Sequence, residues 1–206
     1  MFSKNRFFKI PNYAAWVYPR RIWFAGKRKV CLTFDDGPHP EITPWLLDEL
    51  KKNQVKATFF WLGNQTEKHP QLYERAIAEG HVVGNHGYYH LKGNVISLDI
   101  FKANFDRSQK IIPSKLFRPP FGKLTRKQAK YAAQQSKIVM WSWMSYDFDD
   151  SLTNEELLKK AKKQIGSQDI LVFHENDKTR ERIKEIVPAV IQIVREKGYT
   201  FDVVKP

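Results

Sequence analysis

The chain has 206 residues, of which 42% are hydrophobic and 14% aromatic, so one globular domain with a substantial core is expected. Its net charge of +13 at pH 7 would suit an anionic partner, but the cations are scattered rather than grouped with stacking aromatics, so nucleic acid is not expected. The single cysteine, Cys31, excludes an internal disulfide framework and a Cys-rich zinc site.

Residues 1–28 form a basic, aromatic extension ahead of a domain predicted over 29–206. The apolar stretch YAAWVY is shorter than the roughly 7–15 residues of a signal-peptide core, so no cleavable signal is expected. No apolar run approaches the ~18 residues that a transmembrane helix needs. The predicted compartment is therefore cytoplasmic or unresolved, and the oligomeric state stays open.

The extension is expected to pack on the domain. The alternative is peripheral contact with a membrane surface, because the segment combines interfacial aromatic side chains with cations. The side chains that would make this contact are Trp16, Tyr18, Trp23, Arg20 and Arg21.

From residue 29 onward, apolar runs alternate with amphipathic stretches. Strands are predicted for the segments KVCLTF, KATFFWLG, HVVGNH, KLFRPP, KIVMWSW, DILVFHE and YTFDVV. Helices are predicted over residues 42–53, 69–80, 97–112, 125–136, 153–165 and 180–198. This alternation predicts a parallel sheet with helices outside it, either as a barrel or as an open doubly wound sheet.

Three further details come from local signals. Ser97 is a predicted helix N-cap. Thr153 and Glu156 have the spacing of a capping box at the start of the next-to-last helix. No glycine-rich phosphate loop follows a predicted strand, which disfavours a nucleotide-binding sheet.

Polar residues fall where the predicted strands end. In parallel α/β folds, functional groups collect at the carboxyl ends of the strands. Five strand ends carry charged or titratable side chains, which are Asp35 with Asp36, His86, Arg118, Asp147 and His174. A random scatter would place many of these residues on helices or at the opposite rim. We therefore expect them to converge on one site.

The stretch HGYYH places His86 and His90 at an i, i+4 spacing. A hydrolytic metal site needs about three protein ligands and an open position for water, often two histidines and one carboxylate. Asp35 or Asp36 would complete this set. Adjacent carboxylates point different ways from an extended backbone, so one could bind the metal while the other serves as a base. The residues alone leave open which one does which.

Arg118 and His174 are candidates for supporting roles. The Arg118 guanidinium could hold the free carboxylate in a bidentate geometry. His174 follows the apolar run ILVF and could be a general acid, kept protonated by a neighbouring carboxylate, for which Asp147 is the best candidate. The alternatives are a surface salt bridge for Arg118 and a buried, satisfied histidine for His174.

Several motifs occur in a fixed order: LTFDDGPHPEITPWLLDEL, KATFFWLG, HxxxH, FRPPFG, DF and LVFHE. Together they resemble the polysaccharide deacetylase family, the NodB homology domain of carbohydrate esterase family four, over nearly all of residues 29–204. The resemblance implies a distorted (β/α) barrel with about seven parallel strands. It also implies a metal-dependent hydrolase that removes N-acetyl groups from amino-sugar glycans of the peptidoglycan or chitin kind.

The resemblance assigns a role to each residue of the metal set. Asp35 matches the catalytic base of the family. Asp36, His86 and His90 match the metal ligands. Zinc is the expected metal, and cobalt or nickel could fill the same ligands in vitro.

Other residues match the supporting positions of the family. Arg118 would position the base, His174 would be the general acid, and Asp147 would tune that acid. The Phe121 backbone N–H is expected near the oxyanion. The substrate side would be lined by Phe121, Pro120 and Trp141.

The chain departs from the family pattern at four positions. Gly87 stands where Ser or Thr is usual, and Glu175 stands where Asp is usual. Phe148 replaces a frequent Trp, and Ser142 replaces a frequent Asp. Each departure leaves the proposed chemistry intact but affects the expected substrate fit and rate.

Three other functions stay open at this point. The chain could be a catalytically impaired glycan-binding protein on the same barrel, or an O-acetyl esterase acting on a polysaccharide. Two histidines and one carboxylate also form the facial triad of non-haem iron oxygenases. Those sites usually lie in all-β double sheets, which the strand–helix alternation disfavours.

Overall fold

The computed structural model of the protein describes residues 6–11 and 13–206. Nine strands form one sheet, in the order β1-β6-β5-β4-β3-β2-β8-β7, with β9 pairing β2. All pairings between these strands are parallel. The strands are β1 (Arg21–Ile22), β2 (Lys29–Asp35), β3 (Thr58–Trp61), β4 (Val82–Asn85), β5 (Leu116–Phe117), β6 (Lys137–Val139), β7 (Trp143–Met144), β8 (Ile170–His174) and β9 (Thr200–Phe201).

The sheet curls into a barrel because a short connection joins its two sides. β6 lies next to one edge and β7 forms the other, yet residues 140–142 are all that separates them along the chain. Such a connection spans roughly 13 Å at most, so the edges must come together. The predicted (β/α) barrel is confirmed, with nine strands rather than about seven, and the open doubly wound sheet is rejected.

Eight helices cover the barrel in the described part of the chain. They are α1 (Tyr13–Val17), α2 (Ile42–Lys52), α3 (Gly63–Lys68), α4 (Pro70–Ala78), α5 (Leu98–Ile111), α6 (Arg126–Ala132), α7 (Asn154–Gln164) and α8 (Arg180–Glu196). The Ser97 hydroxyl accepts from the Ile100 N–H, which confirms the predicted N-cap. The capping box of Thr153 and Glu156 is also confirmed. None of the helices in the described ranges has the length and apolar character needed to cross a membrane.

The core lies on both sides of the central strand β2. Every residue of β2 after Lys29 is buried, because the barrel interior fills one face and helices cover the other. The largest apolar cluster joins Phe34 of β2 to Leu46 of α2 and Val190 of α8. These packed strands hold the residues at their carboxyl ends in fixed positions.

Several predicted elements differ from the structure. The helix predicted over 69–80 begins at Pro70 and is preceded by α3, which was not predicted. The strand predicted for KLFRPP is reduced to β5, and the last predicted strand is reduced to β9. The strand KIVMWSW divides into β6 and β7 because it changes partner along its length. Met140 N–H donates to the Ile22 carbonyl at 2.8 Å, whereas Ser142 N–H donates to the Ile170 carbonyl at 3.0 Å.

Parts of the N-terminal extension join the barrel. Ile10 N–H donates to the Ser142 carbonyl at 2.8 Å, and Met144 N–H donates to the Phe8 carbonyl at 2.8 Å. Phe8 and Trp23 are buried. The extension is therefore attached on both sides of α1, while the domain boundary at residue 28 stays a prediction.

Candidate metal and catalytic site

Asp36, His86 and His90 bring three ligand atoms within 4.8 Å of one another at the carboxyl-terminal rim. Asp36 Oδ1 lies 3.7 Å from His86 Nε2 and 3.3 Å from His90 Nε2. That oxygen is buried and has no hydrogen-bond partner among the described residues. A buried carboxylate oxygen costs free energy unless a donor or a cation meets it. These three residues therefore fit a divalent cation.

The orientation of His86 is set by the neighbouring strand end. Its Nδ1 lies 2.8 Å from the carbonyl oxygen of Arg118. Since a carbonyl can only accept, Nδ1 carries the proton and Nε2 keeps its lone pair for a metal. Burial lowers the pKa of His86 to about 4, so the imidazole is neutral at pH 7, as a metal ligand must be.

Asp36 leaves the end of β2 with a left-handed backbone, at a φ of 78°. Its Oδ2 accepts a hydrogen bond from Asn176 Nδ2 at 2.9 Å. Burial alone would raise the pKa of Asp36, but the nearby histidines and Asn176 outweigh burial and hold that pKa below its usual value. Asn176 was not predicted from the sequence, and it supports a ligand 140 positions away.

Asp35 faces the Arg118 guanidinium, which is completely buried. Nη1 of Arg118 donates to Asp35 Oδ1 and to Thr33 Oγ1, both at 2.7 Å. Nη2 donates instead to the Met140 carbonyl at 2.9 Å, so the ion pair is single rather than bidentate as predicted. The guanidinium carbon lies 4.1 Å from the centre of the Phe60 ring. These contacts exclude a surface salt bridge and fix the orientation of Asp35.

His174, at the end of β8, pairs with the buried Asp147. His174 Nδ1 lies 2.8 Å from Asp147 Oδ1, and the His174 backbone N–H donates to Asp147 Oδ2 at 2.7 Å. Burial would lower the pKa of His174, but the charges of Asp147, Asp36 and Asp35 raise it to about 9. His174 is therefore an imidazolium at pH 7 and has a proton to donate. Phe148, in the position of a frequent Trp, packs edge-on against His174 with ring centres 5.0 Å apart.

A cavity of about 630 Å³ opens over these residues, and its apolar lining includes Phe121, Trp141 and Tyr146. The Phe121 ring lies 4.5 Å from the His90 ring and is 55% exposed. Pro120 is buried beneath this turn. Phe121 has a left-handed backbone, with a φ of 57°, in the turn at the edge of the cavity.

A second cavity, of about 460 Å³, also borders Asp36. Its lining is more polar and includes His39, Gln65, Lys68 and His69. The residues that line both cavities are Asp36, His90, Asn176 and Asp177. The two cavities therefore meet at residues of the candidate metal site.

The loop that carries His90 is ordered without a hydroxyl at position 87. Gly87 has a φ of 86°, a region that side chains rarely enter. Its N–H donates to Asn85 Oδ1 at 2.6 Å. Asn104 of α5 holds the next part of the loop, because its Oδ1 accepts from the Tyr89 N–H at 2.8 Å and its Nδ2 donates to the Tyr89 carbonyl at 3.0 Å. Sequence reasoning missed Asn104.

Glu175, another departure, is buried behind the loop that carries Asp36. Its Oε2 accepts from Trp61 Nε1 at 2.8 Å and from Thr43 Oγ1 at 3.2 Å. Burial raises the pKa of Glu175 to about 8, against the effect of these two hydrogen bonds. At pH 7 the carboxyl is therefore mostly neutral. A side chain at Gly37 would overlap Glu175 Oε2, so this close approach requires glycine.

Ser142 lies outside the two cavities. Its hydroxyl donates to Asp169 Oδ1 at 2.7 Å and accepts from the Ile170 N–H at 2.9 Å. Lys9 Nζ lies 2.5 Å from the other oxygen of Asp169. Ser142 therefore links the start of β8 to the segment between β6 and β7, and its carbonyl binds the N-terminal extension. It does not contact the candidate site.

Comparison with known proteins identifies relatives along most of the chain. The sequence profile of polysaccharide deacetylases matches residues 25–139. A peptidoglycan-N-acetylglucosamine deacetylase of Bacillus cereus is 39% identical over 157 residues, which are 69% of this chain and 57% of that protein. The chain thus spans little more than half of the length of this relative.

Two solved structures resemble the whole barrel. A peptidoglycan N-acetylglucosamine deacetylase in complex with 4-naphthalen-1-yl-N-oxidanyl-benzamide aligns with a TM-score of 0.86 at 30% identity, covering 93% of this chain and 94% of that one. A CE4 family pseudoenzyme from Bacillus anthracis aligns with a TM-score of 0.79 at 25% identity, covering 89% and 67%. The barrel thus occurs in a deacetylase and in a pseudoenzyme, so activity has to be argued from the residues of the site.

Proposed function

Because this chain belongs to the polysaccharide deacetylase family, we propose that it hydrolyses N-acetyl groups on amino-sugar glycans. The observation that supports the proposal is that one rim brings together side chains suited to the roles of metal ligand, base and acid. Asp36 and two histidines converge on one point, while Asp35 and His174 are each oriented by a buried partner. A non-catalytic relative would be expected to lack at least one of these groups.

Zinc is the metal that we propose for the ligands Asp36, His86 and His90. Two histidines and one carboxylate are a common zinc set, and cobalt or nickel would substitute in vitro. When bound, such a cation polarises a carbonyl and lowers the pKa of a bound water. The protein contributes by fixing His86 through the Arg118 carbonyl and Asp36 through Asn176.

Asp35 is the proposed general base. Arg118 holds one of its oxygens, so the carboxylate cannot rotate freely. In this role Asp35 accepts a proton from the water that attacks the acetyl carbonyl carbon. The Phe121 N–H would donate a hydrogen bond to the oxygen on which negative charge develops.

His174 is the proposed general acid. Asp147 binds Nδ1, so the proton on Nε2 is the one available for transfer. As the carbon–nitrogen bond breaks, His174 gives this proton to the departing amine. The products are acetate and a free amino sugar, which balances the water consumed.

The proposed substrate is a polymer or oligosaccharide rather than a single sugar. The two cavities that border Asp36 leave room for more sugar units than the reacting one. Aromatic side chains line one cavity and would stack on sugar rings, whereas polar side chains line the other and would bind hydroxyl groups. Peptidoglycan-like and chitin-like glycans both fit these cavities, and O-acetylated polysaccharide is the alternative substrate.

The proposal is tested by acetate release from N-acetylglucosamine oligomers and from peptidoglycan fragments. We expect release in the presence of zinc, loss on treatment with a chelator, and recovery when zinc is restored. Acetylated xylan, assayed in parallel, distinguishes N- from O-deacetylation. Absence of metal-dependent release from every substrate, with metal bound, would favour the impaired glycan-binding alternative.

Asn104→Ala is expected to weaken metal binding by at most about tenfold, the lower bound for losing a group that bonds a ligand directly, because Asn104 acts on His90 only through the loop. The variant removes both hydrogen bonds to Tyr89 and loosens the loop that positions His90. Metal affinity is measured by competition with a chromophoric chelator. Asn53→Ala is the matched control, because Asn53 bonds Glu49 at the end of α2. Equal affinities for the two variants would contradict the role of Asn104.

A further inference from the structure

The short helix α1 turns its bulky side chains to solvent and its small ones to the protein. Tyr13, Trp16 and Val17 share one helical face and are 67%, 85% and 51% exposed. Ala14 and Ala15, between them, pack against the core cluster that contains Trp23. Surface helices usually bury their larger apolar residues and expose the small or polar ones. The arrangement therefore holds an aromatic surface open to solvent.

This surface continues past the helix and is bordered by cations. Tyr18 is half-exposed, and the guanidinium of Arg21 lies 4.5 Å from the centre of its ring. Arg20 is exposed, and no carboxylate in the described ranges pairs with Arg20 or Arg21. Residues 1–34 contain no Asp or Glu. We call the side chains of Tyr13, Trp16, Val17 and Tyr18 the aromatic face.

We propose that the aromatic face docks on an anionic membrane surface. Trp and Tyr favour the boundary between lipid headgroups and acyl chains, and arginines beside them are attracted to anionic lipids. A typical stable protein interface buries about 800 Å² and 20–30 residues on each partner. The aromatic face has only four side chains, so it is too small to hold a protein partner by itself. Membrane binding does not need shape complementarity, so even a small face contributes.

The barrel presents this face as a fixed element. Hydrogen bonds join Phe8 to Met144 of β7 and Ile10 to Ser142, and β1 pairs with β6 directly after the face. Both ends of the segment are therefore attached to the sheet. A fixed face loses little conformational freedom when it binds, which favours docking by few residues.

The experiment is sedimentation of the full chain with vesicles. Vesicles of phosphatidylglycerol and phosphatidylcholine are compared with vesicles of phosphatidylcholine alone. We expect binding to the anionic vesicles, weakened by salt because charge contributes. Trp16→Ala is expected to reduce the binding constant about tenfold, and Arg20→Gln about fivefold. Both variants should keep the acetate release of the unmodified chain.

Two control variants replace exposed residues elsewhere. Val95→Ala removes an apolar side chain that is 69% exposed, and Lys159→Gln removes an exposed cation from α7. Neither control should change vesicle binding, and thermal unfolding should be alike for all four variants. The proposal is overturned if vesicles do not bind, or if Trp16→Ala binds them as well as Val95→Ala does. Binding to soluble polyphosphate in place of vesicles would also overturn it and would indicate an anionic polymer as the partner.

Discussion

Replacing Asp35 with Asn is expected to reduce acetate release by about 10²- to 10⁴-fold, the usual contribution of a general base. The carboxamide keeps the shape of Asp35 and an oxygen for Arg118, but it cannot take a proton from water. Metal affinity should stay close to that of the unmodified chain, because Asp35 is not among the three converging ligands. The rate is measured at saturating zinc and the affinity by chelator competition.

Stability has to be measured beside the rate of Asp35→Asn. Arg118 and Asp35 are both buried, so the variant leaves a guanidinium charge without its counter-charge. Removing one partner of a buried pair costs about 3–5 kcal/mol, and the retained hydrogen bond should lessen that cost. Thermal unfolding shows whether the variant is folded at the assay temperature. A folded variant with an undiminished rate would exclude Asp35 as the base.

Asp36→Asn, the same substitution at the next position, is expected to weaken metal binding rather than proton transfer. Asp36→Asn removes a negative ligand while keeping a residue type that tolerates the left-handed backbone at this position. Loss of a residue that hydrogen-bonds to a metal ligand costs about 10- to 100-fold in metal affinity. Loss of the ligand itself should therefore cost more than about 100-fold. Acetate release should fall in parallel and should recover in part when the zinc concentration is raised.

The comparison between the two asparagine variants separates the two roles. Extra zinc should help Asp36→Asn and should not help Asp35→Asn. If Asp36→Asn binds zinc as tightly as the unmodified chain, the assignment of the ligands is wrong. If zinc restores both variants equally, base and ligand have not been distinguished.

Much of the fold was predictable because the signals are local. The caps at Ser97 and Thr153 depend on residues three positions away, and both are present. The convergence of polar strand ends was also predictable, since parallel strands place their carboxyl ends at one edge. The division of KIVMWSW into two strands was not, because it depends on Ile22 and Ile170, which lie far along the chain.

The residues of the site were likewise predictable only where their signal is local in the sequence. Residue types and spacing left the roles of Asp35 and Asp36 open, and the resemblance to a family supplied the proposed assignment. Asn104 and Asn176 gave no signal, because an asparagine in a helix or a loop is ordinary until the fold brings it to its partner. Glu175 is a departure visible in the sequence, but its burial against Trp61 depends on β3 and β8 lying on the two sides of β2.

Arg118 contacts the proposed base with its side chain and a proposed ligand with its backbone. One residue, Arg118, therefore positions both the proposed base Asp35 and the proposed ligand His86. Thermal motion of the rim that displaces Arg118 would carry Asp35 and His86 in the same direction. The distance between Asp35 and His86 would then vary less than the positions of the strands that carry them.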